Sequence, residues 1–472
     1  MEKSSLASKP LPSQLTTTSS THRSRLPGRF ARLPELAGPG FLPLGLFARL
    51  PLAMLTVGTL TLVTAVSHSY AIGGMASGAV GIGSAVGAPV LGSLADRAGQ
   101  RIVLLVAAVV NTLAVLGLLA AAYVTPSYVS VLDATGVLVA GFLAGASCPQ
   151  VGPMARVRWM ALTTRNLSSV HKAAVSTEEI PAAESSVARS GGRSVAASRA
   201  DLDTALSYEG TADEVTFVLG PALVGILASL IAPWLPLALA AIMTITLVPA
   251  FAVHPSQQAV VPVPRKAAAA VVGSFSEPAA KRGSRWAGAV VAVPVVAMVC
   301  MGTFFGATQN ALSAFSAQYA TAEIAGLLYS VMGLSSAVAA LSVAFWSQRF
   351  SLAARWVAAA LAMSLFALLL LVPAGIWPMV FVLLLLGIPV GPVMVTVFSI
   401  GGVVAPAGRM ATVMTALASG IVAGTALGSY LAGQLAQTQG PSAAFVVSMA
   451  AAAGLLVLGV LTYLVMKRRP QA

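Results

Sequence analysis

The chain has 472 residues, of which 57% are hydrophobic and only 9% charged, with a mean hydropathy of +0.88. Soluble domains carry about 25% charged residues, so a soluble fold is excluded. The net charge of +13 would suit nucleic acid only if it were gathered into an aromatic-interleaved patch; here the basic residues are scattered between apolar runs, which excludes that class as well.

The first 40 residues are rich in Ser, Thr, Pro and Arg and lack the apolar core of a secretory signal. They read as a disordered cytoplasmic tail, with an acid-poor organelle transit peptide as the alternative. Crossing a hydrocarbon core of about 30 Å takes roughly 20 apolar residues. Apolar runs bounded by polar, Pro and Gly interruptions predict helices over 49–67, 70–94, 101–123, 131–151, 212–231 and 233–253. A second set of six is predicted over 287–309, 322–347, 355–372, 376–400, 409–434 and 442–466. The domain plan is therefore a tail (1–40), an N-terminal six-helix half (41–253), a Pro- and Ala-rich linker (254–286), a C-terminal six-helix half (287–466) and a basic tail (467–472). Inside the first half, residues 161–207 have the Ser, Ala, Glu and Arg composition of a disordered insertion, either tolerated or regulatory. Cys148 and Cys300 both lie in apolar runs and read as packing residues.

Positive residues stay cytoplasmic, so the Lys and Arg distribution tests this layout. With the N-terminus inside, all 27 fall in the tails, the linker or loops assigned to the cytoplasm, and none in the six outer loops. A wrong helix count would invert the sign of half the chain. The distribution predicts twelve crossings, both termini cytoplasmic, and a multi-pass protein of the cell membrane.

At the junction of the second and third helices stands Gly92-Ser93-Leu94-Ala95-Asp96-Arg97-Ala98-Gly99-Gln100-Arg101. Gly92 allows close helix approach, Gly99 suits the positive φ of a tight turn, and Arg97 and Arg101 can reach lipid phosphates or carboxylates. Asp96 opposes the negative end of its helix and needs a compensating partner. The fifth helix carries Gly220-Pro221-Ala222-Leu223-Val224-Gly225, where Pro221 bends the helix and Gly220 and Gly225 permit tight packing.

The first of these stretches resembles the signature loop of the major facilitator superfamily, a G-x-L-x-D-R-x-G-x-[KR] pattern. The second resembles the G-P-x-x-G-G motif of its exporters and antiporters, with Val224 in place of the first paired glycine and Thr216 where another upstream glycine is usual. The resemblance implies an all-α fold of twelve transmembrane helices in two six-helix halves, working by alternating access. It implies that Asp96 contacts the start of the eleventh helix, near Arg409, and helps hold an outward-open state. A counterpart loop should follow the eighth helix; Trp346-Ser347-Gln348-Arg349-Phe350, with Arg355 beyond, keeps the basic residues but lacks the Asp and Gly.

The resemblance also implies a central cavity lined by helices one, four, seven and ten. Their polar and kinked positions include Gln150, Phe304, Phe305, Gln309, Asn310, Pro389 and Pro392. That cavity is expected to carry no mid-membrane charge, which favours a neutral or amphipathic small molecule. Asp213 and Glu214 border the fifth apolar run. They read either as proton-coupling carboxylates or as a capping box with Thr211, and Arg49 is a candidate partner for either. No HExxH, GxSxG, P-loop or CxxC pattern occurs, so no catalytic residue, metal or cofactor is expected. An ion gradient, most simply of protons, would drive transport, with efflux favoured over uptake and a non-transporting receptor as the rival. The oligomeric state stays open, a monomer being compatible.

Overall fold

The computed structural model describes residues 29–125, 132–175, 184–261, 280–319, 324–347 and 349–467. Residues 1–28, 262–279 and 468–472, read above as parts of the tails and linker, lie outside the described residues. Twelve helices are long and apolar enough to cross a membrane, and no strand occurs among the described residues. In chain order they are α1 Phe41–Ser67, α2 Ile72–Ala98, α3 Gln100–Val124, α4 Thr135–Thr164, α5 Ala197–Leu230 and α6 Leu235–Val253. The second six are α7 Val290–Tyr319, α8 Ile324–Phe345, α9 Leu352–Leu371, α10 Ile376–Val404, α11 Met410–Gln439 and α12 Pro441–Leu464.

Local chemistry sets the breaks. Ser69 and Ser351 accept hydrogen bonds from the first turns of α2 and α9, at 3.4 and 3.3 Å. Pro149 interrupts α4, whose two helical pieces meet across Ser147–Gln150, because proline removes a donor and clashes with the preceding turn. Gly99, at φ +89°, turns α2 directly into α3. On α3, Ile102, Val106, Val109, Leu113 and Leu116 are exposed at helical spacing, a lipid-facing stripe, while Leu104, Ala108, Asn111, Val115 and Leu118 are buried opposite. With lipid on one side there is no water to hydrogen-bond the backbone, and only helices satisfy it internally.

The two halves repeat one another's packing. In the first, α2 packs on α4 and α3 on α6; in the second, α8 packs on α10 and α9 on α12. Two seams join the halves, α2 against α11 and α5 against α8.

Three expectations need correction. The region 161–207 is helical over 161–175 and 184–207, as extensions of the helices that contain α4 and α5, and its residues 176–183 lie outside the described residues. Its Ser, Arg and Glu lower hydropathy without opposing helix formation, because helix propensities differ by under about 1 kcal/mol among these residues. The end of the tail is likewise folded: a 3-10 turn at Arg29–Arg32 and a short helix Leu33–Ala37 precede α1, with Leu33 and Phe41 buried. Finally, Arg156 and Arg158, counted above as loop residues, lie inside α4 and are buried.

Candidate functional site

The signature loop sits at the face of the bundle that gathers the basic residues, the basic face. Asp96 accepts hydrogen bonds from the backbone N–H of Ala411 (2.9 Å) and Thr412 (2.8 Å) and from the Thr412 hydroxyl (2.6 Å). These are among the unpaired donors of the first turn of α11, where the helix dipole also favours a carboxylate. A side chain of one half thus caps a helix of the other. Gly92 makes the approach: a Cβ there would lie 2.7 Å from the Ala411 carbonyl and collide with Thr415. Arg97 and Arg101 are exposed. Gln100 is buried and accepts from Arg158 Nε at 2.9 Å; Arg158 also donates to the Phe251 carbonyl and Ser256.

Next to this loop, four charged side chains form a closed cluster inside the first half. Arg49 bonds Glu209 at 2.5 Å and Asp213 at 2.7 Å, and Arg156 bonds Asp213 at 2.5 Å. Trp159 Nε1 donates to the other oxygen of Glu209 at 2.9 Å. The guanidinium of Arg156 lies 4.0 Å from the ring centroid of Phe398 on α10, so the cluster touches the second half.

The capping reading of Asp213 and Glu214 does not hold. Both stand in the interior of a helix that starts at Glu184, so there is no first turn for them to cap. Thr211 donates to its own helix at Ser207 and to the Ala337 carbonyl of α8, at 3.0 Å each. Glu214 turns away from Arg49 toward α8, where the Ser336 hydroxyl donates to it at 2.9 Å. The partner of Arg49 is Asp213, joined by Glu209.

Of the kink residues, Gly220 lies against Ala53 of α1, where a Cβ would stand 3.0 Å from backbone carbon, and Pro221 is inside the helix; Gly225 has open space around it. The expected cavity residues divide. Phe304, Phe305, Pro389 and Pro392 are buried, while Gln309 is exposed and Asn310 donates to the Gly306 carbonyl of its own helix at 3.1 Å. Gln150 is buried and donates to the Cys148 carbonyl at 3.0 Å. A cavity of about 410 Å³ opens beside Asp96, lined by Val157, Met160, Thr164, Val260 and Met410 among others, and by none of these seven.

Sequence reasoning missed Glu209, Arg156, Trp159 and Ser336. Glu209 and Asp213 are four apart and so share a helix face, a signal that was available once the helix was known to extend upstream. The Arg156 partner, 57 positions away, carries no such signal.

No protein-family model matches the chain, and no curated protein matches it in sequence. Solved structures do. The human organic anion transporter MFSD10 aligns over 92% of this chain and all of its own, with 17% identity and a TM-score of 0.60. A bacterial homologue of the iron transporter ferroportin, outward-facing, covers 89% of this chain and 98% of its own, at 14% identity and TM-score 0.61. The transporter FucP in its outward conformation covers the same shares, at 14% identity and TM-score 0.55. The chain therefore has the twelve-helix fold of the major facilitator superfamily transporters.

Proposed function

We propose that the protein is a secondary active transporter of the cell membrane that moves a small neutral or amphipathic solute by alternating access, coupled to protons and directed outward. The observation that carries this reading is the Asp96 cap on α11. A transporter that rocks its halves about a midplane site needs contacts between the halves that are strong when made and cheap to break. Hydrogen bonds between a carboxylate and helix N-terminal amides at a water-accessible edge meet both demands, at about 1.5–3 kcal/mol each.

Substrate class follows from charge. Within the first half's cluster, Arg49 and Arg156 are matched by Glu209 and Asp213, which leaves no free fixed charge there to select an ionic solute. The fold alone names no solute, since the solved relatives are described as carrying organic anions, fucose with protons, or iron. Outward direction rests on the exporter-like Gly220-Pro221 kink, and proton coupling on the buried carboxyl of Glu214.

The test uses purified protein in proteoliposomes under an imposed pH gradient, with a panel of hydrophobic cations, neutral drugs and sugars. Substrate-dependent proton flux in the wild type, lost in Asp96→Asn, is the expected result. Net accumulation of solute against its own gradient with every ion gradient collapsed, or proton flux indifferent to Asp96→Asn, would overturn the coupled alternating-access reading.

A further inference from the structure

Three contacts form one stripe where α5 meets α8. Thr211 reaches the Ala337 carbonyl, Glu214 meets Ser336, and Val218 packs on Gly333. The positions are three and four residues apart, hence one helical face, and that face is the seam between the halves. Glu214 lies near the middle of α5, seventeen residues after Ala197 and sixteen before Leu230. It is 6% exposed, and among the described residues no Lys, Arg or His lies within ion-pair distance of it.

Its surroundings cannot supply a counter-charge. On its own helix the titratable neighbour is Asp213, already held by Arg49 and Arg156. Arg49 of α1 and Arg156 of α4 are matched one for one by Glu209 and Asp213, so no positive charge is left over. From α8 come Ser336, which is neutral, and Tyr329, also without positive charge. The α10 helix behind the seam contains no charged residue. An ionised carboxylate taken from water without a partner costs several kcal/mol, and neutralisation by a proton removes that cost.

We infer that Glu214 is the proton-binding residue of the transport cycle, protonated while the seam is closed and ionised when the seam opens to water. This rests on the transporter reading above and assigns its coupling step. The proton joins a carboxylate oxygen from hydronium on one side of the membrane and leaves to water on the other, the carboxyl being neutral in between. Since the Asp96 cap is made in the same structure, protonation stabilises the conformation closed at the basic face. Deprotonation releases it.

The experiment needs no substrate, only protons. Spin labels at Ala98→Cys and Arg349→Cys, exposed on the basic face of opposite halves, report the separation of the halves in lipid nanodiscs, with Cys148 and Cys300 replaced by Ala. The wild-type distance is expected to be short at acidic pH and to lengthen at alkaline pH. Glu214→Gln, which keeps the hydrogen bond to Ser336, is expected to stay short throughout. Ser336→Ala retains the carboxyl and should keep the transition but move its midpoint. A Glu214→Gln protein that still lengthens with pH, a wild type that ignores pH, or a wild type that responds to sodium at fixed pH would each overturn the assignment. The proteoliposome assay on the wild type decides the transporter reading separately, because solute exchange between equal pools does not depend on which residue carries the proton.

Discussion

Asp213 stands between two guanidiniums, 2.7 Å from Arg49 and 2.5 Å from Arg156, and its removal does not affect them equally. Arg49 keeps Glu209, whereas Arg156, 2% exposed, keeps only the face of Phe398. Breaking a buried pair by deleting one partner costs about 3–5 kcal/mol, much of it from the charge left behind. Asp213→Ala is therefore expected to lower the thermal midpoint of the purified protein sharply, and Arg156→Met in the same background should restore much of the loss. Thermal unfolding followed by the exposure of buried cysteine checks this. If the double variant is no better than Asp213→Ala alone, the stranded Arg156 charge is not the cause. The same residues mark the limit of what sequence conveys at this scale. Asp96 and its partner helix were legible because the motif fixes both, and Gly99 because a tight turn between helices demands a residue tolerant of positive φ. The Arg49 pairing was legible as a choice between two adjacent acids. The choice itself depends on helix rotation: Asp213 and Glu214 project about 100° apart, so one enters the cluster and the other the seam.

The elements whose lengths depart from expectation are those that build the basic face. Hydropathy marks where a helix leaves the lipid, not where it stops, so the polar turns at the start of α5 read as a disordered insertion. Those turns carry ion pairs to other elements: Asp203 bonds Arg355 at the start of α9, at 3.0 Å, and Asp201 bonds Arg32 at 3.2 Å. Arg32 belongs to the folded end of the tail, which lies across both halves. Its Arg29 donates to the Ala344 carbonyl and sits 5.6 Å from the centroid of Phe345, and Phe30 meets Phe345 edge-on at 6.1 Å. Tyr208 of α5 donates to the Leu42 carbonyl at 2.8 Å, anchoring the other end of the segment. A strap bound to both sides of a closing joint favours the closed joint. An exposed cation–π contact and an aromatic pair together supply about 1–2 kcal/mol, which corresponds to roughly five- to thirtyfold in an equilibrium. Arg29→Ala with Phe30→Ala is accordingly expected to enlarge the population separated at the basic face, seen as growth of the long-distance component between labels at Ala98 and Arg349. An unchanged distribution would assign the strap no part in the closure.

At the scale of the whole molecule, the two seams are counterparts under the exchange of halves: α2 meets α11 as α8 meets α5. Each is tied at the basic face by a charge, from the end of the second helix in one and from the region that follows the eighth in the other. Asp96 caps α11, and Arg355 pairs with Asp203 at the base of α5. The polarity is reversed between them, which explains why the loop after α8 retains basic residues and lacks an acid: the acid has its place on α5 instead. Arg355 is fixed further by donating to the Phe350 and Ser347 carbonyls, at 2.8 and 3.1 Å. Rigid-body rocking requires both seams to part at this face together, so locking either one should arrest transport. Gly210 of α5 and Ala340 of α8 offer the lock once the Val395 methyl, 2.7 Å from a Cβ built on Gly210, gives way, since that Cβ lies 3.7 Å from that of Ala340, close to the disulfide mean of about 3.8 Å. The Gly210→Cys, Ala340→Cys protein, with Cys148 and Cys300 replaced by Ala, is expected to lose solute flux on oxidation and regain it on reduction, while each single variant is indifferent to oxidant. Full flux through a quantitatively cross-linked protein would mean that the α5–α8 seam stays closed throughout the cycle, and that any opening at the basic face is confined to the α2–α11 side.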